Sequence, residues 1–443
     1  MKWFLVLALL VSAALSLAEE VPLELPATDS TPLKPETAAA AGQEFAKLSS
    51  PDAAIRAEAG RKLMALDLAV LPWLKRQLQG DAAVQLSDSA QAAAAEVVKL
   101  MEMRNDLALL AYGTPVALDL KQVYPQDICA ALERQTDNRV STLAQWLQMP
   151  AKHDFKYSGN YWGAVELLCR LFPPDLPGKA RDLEDVWQRR ADKNDRPDVP
   201  LFGLEPAAIR GICTVRAARV SLEREAGGLF LTIKVSAKLE ERFVANELTV
   251  VIKGFKFSDG QTVPPLEEPP DKFAGRGFKR TATASIRLTE ALRAAKTVSV
   301  TGTLDFTPYE MRALTLDVTP QEIVRRLPGG LTLTVTPGAG EVKAKLVADG
   351  ADALPNNMDG AEFLAALDPA GKRVGNVTST SSMGGKSLEV KLSFGAGAMP
   401  PKIVVRVPRP LPKFNGAFTL PDAPLPLAEK LLKAPQPAPA DQF

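Results

Sequence analysis

The sequence predicts a multidomain α+β protein: a helical N-terminal segment, a small β-α-β-β-α module, then one or two antiparallel β-sandwich domains. Three observations predict it. Between residues 37 and 105 the chain is rich in Ala, Leu, Lys and Gln and has almost no glycine, as helices prefer. From Val116 the apolar period switches to strict alternation and then moves between strand and helix up to about residue 175. From residue 206 onward, runs rich in Val, Thr and Ile recur between Gly, Pro and Asp turns, the spacing of a two-sheet sandwich.

The chain begins MKWFLVLALLVSAALSLAEE, with Lys2 ahead of an apolar run from Trp3 to Leu15 and small residues at Ser16 and Ala18. That run is shorter than the roughly 20 residues a bilayer span needs, so residues 1–18 read as a secretory signal peptide cut after Ala18, with an uncleaved anchor as the alternative. No cysteine follows the run to take a lipid, and no later stretch is apolar for long enough to be a transmembrane segment. The expectation is an exported protein, periplasmic or extracellular. Residues 19–36 carry four prolines and little periodicity and read as an extended linker.

In the helical segment, residues 37–112, Ser50 is placed to cap a helix with Pro51 at its first position. Ile55, Ala59, Leu63 and Leu66 then recur as one apolar face, and Gly80 stops the following helix. In the module, residues 113–175, "VALDLK" is a strand and "YPQDICAALERQTD" a helix with Ile128 and Leu132 inward. "RVSTL" is a short strand, and "HDFKYS" aligns His153, Phe155 and Tyr157 on one face. Asn160 caps the helix "YWGAVELLCRLF", whose Trp162, Val165, Cys169 and Phe172 make a continuous apolar face with Tyr161 at its rim.

Residues 176–205 are charged and proline-bearing and read as a linker. The β region divides into residues 206–326 and 327–418, each with five alternating runs; "SIRLTEALRAAKTVSVTG" and "EVKLSFGAGAMPPKIVVRVP" have the layout of duplicated copies. Residues 419–443 form a Pro-rich tail, in which "FTLPDAPLP" has apolar residues able to dock on a sandwich.

Asp52, Arg56, Leu63, Leu71, Pro72 and Leu74 resemble a HEAT-type helical repeat, over about one and a half units. A solenoid needs about three repeats to stand alone, so these helices are expected to lean on the next domain; such repeats are surfaces for packing and binding. In that family pattern Arg56 is structural. Leu118, Leu120, Ile128, Leu132, Val140, Trp162, Ala164 and Leu168 resemble the small α/β module at the N-terminal, periplasmic ends of secretins and their receptors. With immunoglobulin-like sandwiches following, the arrangement resembles exported multidomain bacterial proteins of unknown function. The resemblance implies binding or scaffolding and carries no catalytic residues.

Lys plus Arg (53) nearly equals Asp plus Glu (52), which lacks the basic excess of a nucleic-acid binder. With one histidine, His153, a multi-histidine metal site is excluded, and no phosphate loop or nucleophile elbow is present. No cofactor, metal ligand or catalytic residue is therefore expected. Cys129 and Cys169 lie on the two helices of one module and are the candidate pair for a disulfide; two buried free thiols are the alternative. Arg276, Lys279 and Arg280 in "GRGFKR" form a candidate anion-binding loop, with a solvated hairpin end as the alternative.

Residues 349–362 collect carboxylates and amides without the EF-hand spacing. Asn376-Val377-Thr378 fits the N-glycosylation acceptor. The functional expectation is a non-catalytic envelope protein with a protein partner, engaged at a sandwich edge or along the helical face. The rival readings are a carboxylate-dependent polysaccharide hydrolase and a carbohydrate-binding protein.

Overall fold

The computed structural model describes residues 26, 33–79, 86–138, 152–172, 207–225, 228–266, 279–289, 292, 295–350, 354–355, 363–367, 373–383, 386–394 and 402–424. The fold is mixed α+β, with its helices toward the N-terminus and antiparallel sheets after them. It divides into two compact units, one up to Pro115 and one from Val116 on. The leader, the "RVSTL" run, the 176–205 linker and the tail beyond Pro424 lie outside the described residues.

The first unit holds α1 (Pro35–Lys47), α2 (Ala53–Ala65), α3 (Val70–Gln79) and α4 (Asp88–Tyr112). Helix α1 starts inside the stretch read as a linker, because Pro35 supplies the fixed φ favoured at a first helical position. The cap of α2 is Asp52, whose side chain accepts from the Ala54 N–H, rather than Ser50. Ser50 Oγ instead accepts from the Asp52 N–H, and Arg56 folds back to donate to the carbonyls of Ser50 and Pro51. Arg56 thus satisfies loop carbonyls ahead of α2. Ala59 and Leu63 are fully buried as the periodicity requires, but Ile55 is 45% exposed, because the first turn of α2 extends beyond the helices that cover the rest. Arg104 on α4 donates to the carbonyls of Met64 and Leu66 at the end of α2, and Phe45 meets Trp73 edge to face, so the four helices enclose one core.

The second unit begins with β1 (Pro115–Val123), α5 (Pro125–Thr136), β2 (His153–Asn160) and α6 (Tyr161–Leu171), with β1 and β2 paired. Asn160 caps α6 by accepting from the Gly163 N–H. Ile128, Leu132, Phe155, Trp162, Val165, Cys169 and Phe172 are all buried in one core, as their spacing predicts. Tyr161 is buried as well, at 3% exposure, so it is not a rim residue. A helical wheel sees only its own helix, and Tyr161 is covered on the side that the wheel leaves open.

The β region is built on a spine. Strand β9 (Thr297–Asp317) is 21 residues long. On one flank it pairs antiparallel with β6 (Phe243–Phe257), from Phe243 opposite Glu310 to Phe257 opposite Val298. On the other flank it pairs with β17 (Lys402–Pro410) along its C-terminal half and with β18 (Phe414–Pro424) along its N-terminal half. Short β7 (Thr262–Val263), β13 (Leu364–Leu367) and β14 (Arg373–Val374) complete this seven-stranded sheet. The docking expected of "FTLPDAPLP" is thus a full strand pairing, with Phe418, Leu420 and Ala423 buried.

Two smaller antiparallel sheets accompany the spine. One is β3 (Ala207–Arg210), β4 (Cys213–Glu225), β5 (Gly228–Leu239) and β8 (Lys279–Arg287), in that order. The other comprises β10 (Ile323–Leu327), β11 (Leu331–Gly338), β12 (Glu341–Ala348), β15 (Asn376–Met383) and β16 (Ser387–Ser393), ordered β10-β11-β12-β16-β15. Leu333, Val335, Ala344, Leu346 and Val390 of this five-stranded sheet share a core with Met311, Leu316, Ile403 and Val405 of the spine. That is a sandwich. The steps from β8 to β9 and from β16 to β17 both carry the chain from a smaller sheet to the spine, which accounts for the matching layout of those two sequence stretches.

Bulges let β6 follow the long spine. Val250 and Ile252 are buried before the irregularity at Ile252/Gly254, whereas Phe255 and Phe257 are buried after it, so the extra residue flips the inward phase. A second bulge follows Asn246, where Glu247 takes a positive φ of 59°. Gly302 on β9 lies opposite Phe418, and a Cβ there would strike both the Phe418 ring and the Val251 carbonyl. The ring fills the space that glycine leaves.

Candidate functional site

Two features of the second unit stand out among the described residues: a buried arginine–carboxylate cluster and a sheet edge that carries no charge.

The cluster forms where the C-terminus of α5 meets the spine. Asp137 leaves the helix in a left-handed conformation and presents Asn138, which is 1% exposed. Asn138 donates to Glu240 Oε2 at 2.9 Å and accepts the Arg242 N–H at 2.9 Å, while an Arg242 Nη donates to the Thr136 carbonyl. Arg242 also pairs with Glu310, at 3.5 Å. Glu310 is 8% exposed and receives Arg312 at 2.9 Å and Arg409 at 2.8 Å as well. Arg406, itself buried, reaches Asp137 at 3.3 Å.

Burial alone would push the Glu310 carboxyl upward, but Arg242, Arg312 and Arg409 outweigh it and hold it at about 2. It is therefore a carboxylate across the neutral range, paired with three guanidinium groups. That is the electrostatics of a structural joint. Beside it Arg216 pairs with Glu166 of α6, and Trp162 Nε1 donates to the Ile212 carbonyl at 3.1 Å. These contacts fix the small module onto the sheets.

The sequence-derived candidates are placed as follows. Cys129 and Cys169 share one core but stand as free buried thiols, and Cys213 is a third. Burial pushes the Cys129 thiol up to about 12 and the other two higher still, so none is a nucleophile near neutral pH. Arg276 lies outside the described residues; Lys279 and Arg280 begin β8, where the backbone pairs with Lys238 and Ala237. His153 stacks edge to face on Phe172 at 4.9 Å, a packing role. The adjacent carboxylates Glu240 and Glu241 serve separate partners, Glu240 buried on Asn138 and Glu241 at Lys238. Among the described residues no group of three or more His, Cys, Asp or Glu is placed to hold a metal. Tyr124 is the one aromatic among their strongly exposed large apolar side chains, where a sugar platform would need a row.

The edge is β15. Edge strands expose unpaired backbone groups, and proteins blunt them with charge, proline, brevity or cover. Most edges here are blunted. β10 carries exposed Arg325 and Arg326. β18 contains Pro421 and Pro424, and its Ala417 carbonyl accepts from Arg210. The Ser285 carbonyl of β8 accepts from the Leu266 N–H, and β7 and β14 are two residues each.

Strand β15, "NVTSTSSM", has no charge and no proline, and among the described residues it pairs only with β16. Gly375, with φ 81°, turns the chain into it from β14 in the opposite sheet. Thr380 lies across from the fully buried Val390 yet is itself exposed, so the strand overhangs its sandwich. Sequence reasoning missed β15 because its Ser/Thr residues give no apolar alternation. It also missed the Glu310 cluster, whose members come from positions as distant as 242, 310 and 409. The bare absence of Lys, Arg and Pro between two strand signals was the one clue to β15.

No protein-family model matches the chain, and no curated protein matches it.

Proposed function

We propose that this chain is an exported, non-catalytic binding or scaffolding protein of the cell envelope that works through protein–protein contacts at a sheet edge. The observation that carries the reading is the contrast within one sheet: β10 is guarded by two exposed arginines, and β15 offers eight uncharged residues with one flank unpaired among the described residues. Main-chain hydrogen bonds supply affinity in such strand addition, and an arginine-lined edge would tax it. The buried thiols and the arginine-locked Glu310 support the non-catalytic half of the proposal.

In this reading residues 1–18 are a cleaved leader, the first unit is a HEAT-like packing surface and the two β cores are immunoglobulin-like modules. Among the described residues no helix is long and apolar enough to cross a membrane. A photo-crosslinking residue at position 380, compared with one at 324 on β10, tests the reading in the native envelope. Crosslinks to a second polypeptide from 380 and not from 324 are expected. Equal capture at both positions, or none at 380, overturns it.

A further inference from the structure

Resting on the reading of β15 as a pairing edge, we infer that its occupant is a second copy of this chain, joined β15 to β15 antiparallel. The argument is one of charge and closure. Antiparallel pairing about a twofold axis sets position i opposite j and j opposite i, so on a strand this short a charge near the axis would lie opposite or diagonal to its own copy and be repelled. β15 carries none.

The same sheet ends at its other edge in β10, and pairing β15 of one copy to β10 of the next would be head-to-tail and would propagate as an open filament. Arg325 and Arg326 stand exposed on that edge and impede such growth. The sheet is thus barred from open polymerisation and left free for closed pairing. The bulge between Val377 and Ser379 confines regular register to Ser379–Met383. A five-residue ladder is short, which makes the dimer weak and reversible, with Kd in the micromolar range on the order of 10–100 μM.

The test is sedimentation velocity of the mature chain across concentration, with three variants at Thr380, an exposed position. The wild type and Thr380→Val are expected to dimerise with the same Kd. Thr380→Lys and Thr380→Glu are each expected to raise Kd by roughly tenfold, and mixing the two restores association, which a misfolded variant would not do. A wild type that stays monomeric at all concentrations, or variants that dimerise as the wild type does, overturns self-pairing. If the wild type is monomeric while position 380 still crosslinks another polypeptide, only the identity of the occupant fails. If it is monomeric and captures nothing, the edge reading fails with it.

Discussion

Replacing Glu310 with Gln keeps the shape of the side chain and removes its charge. The carboxyl is held at about 2 in place of an ordinary 4.5. That gap of about 2.5, at about 1.36 kcal/mol for each, makes the charge worth roughly 3 kcal/mol of stability. Breaking a buried pair from one side costs a similar amount, because Arg242, 13% exposed at its side chain, would remain without its carboxylate. Because the folded value lies below the unfolded one, the contribution is complete above about pH 4.5 and is lost as pH falls toward about 2.

Urea unfolding followed by circular dichroism, for wild type and Glu310→Gln at a series of pH values, reads this directly. A difference of roughly 3 kcal/mol at pH 7, shrinking to under about 1 kcal/mol near pH 2, is expected. A difference that stays the same across that range would refute the electrostatic account, since a purely steric cost does not titrate.

Trp162→Phe removes one of two hydrogen bonds to the Ile212 carbonyl, which keeps the Glu240 N–H, and should lower stability by about 0.5–1.5 kcal/mol, read as a drop in the urea midpoint. An unchanged midpoint would show that the bond contributes nothing. Gly302→Ala should cost about 1–3 kcal/mol by overpacking, and adding Phe418→Leu should fail to restore stability, because the Val251 carbonyl still obstructs the new methyl group; full rescue in thermal melts would place the clash at the ring alone. The native chain should react slowly with a disulfide reagent, and in denaturant without reductant all three thiols should titrate. A count of one would mean that two of the three are bonded, and peptide mapping would then show whether they are Cys129 and Cys169.

The elements were legible wherever burial follows a period. The α6 face of Trp162, Val165, Cys169 and Phe172, and the β5 alternation from Leu229 to Leu239, are both buried as spacing alone requires. Legibility failed where cover comes from a distant part of the chain, as at Tyr161, and where a strand has no apolar side, as in β15. It failed too at the start of a periodic face, as at Ile55 in the first turn of α2, which stays exposed.

By itself the sequence determined the order of the longer helices and apolar strands and which side of most of them is apolar, because hydrophobic period is a local property that each segment carries alone. It also excluded a multi-histidine metal site, since His153 stands alone in the composition. Only the tertiary structure decided that β9 runs unbroken between β6 on one flank and β17 with β18 on the other. The same holds for Glu310 gathering Arg242, Arg312 and Arg409, and for β15 rather than β10 being the unguarded edge. Strand pairing and charge clustering join residues far apart in sequence, and no local pattern records which distant partner a backbone or a guanidinium will meet.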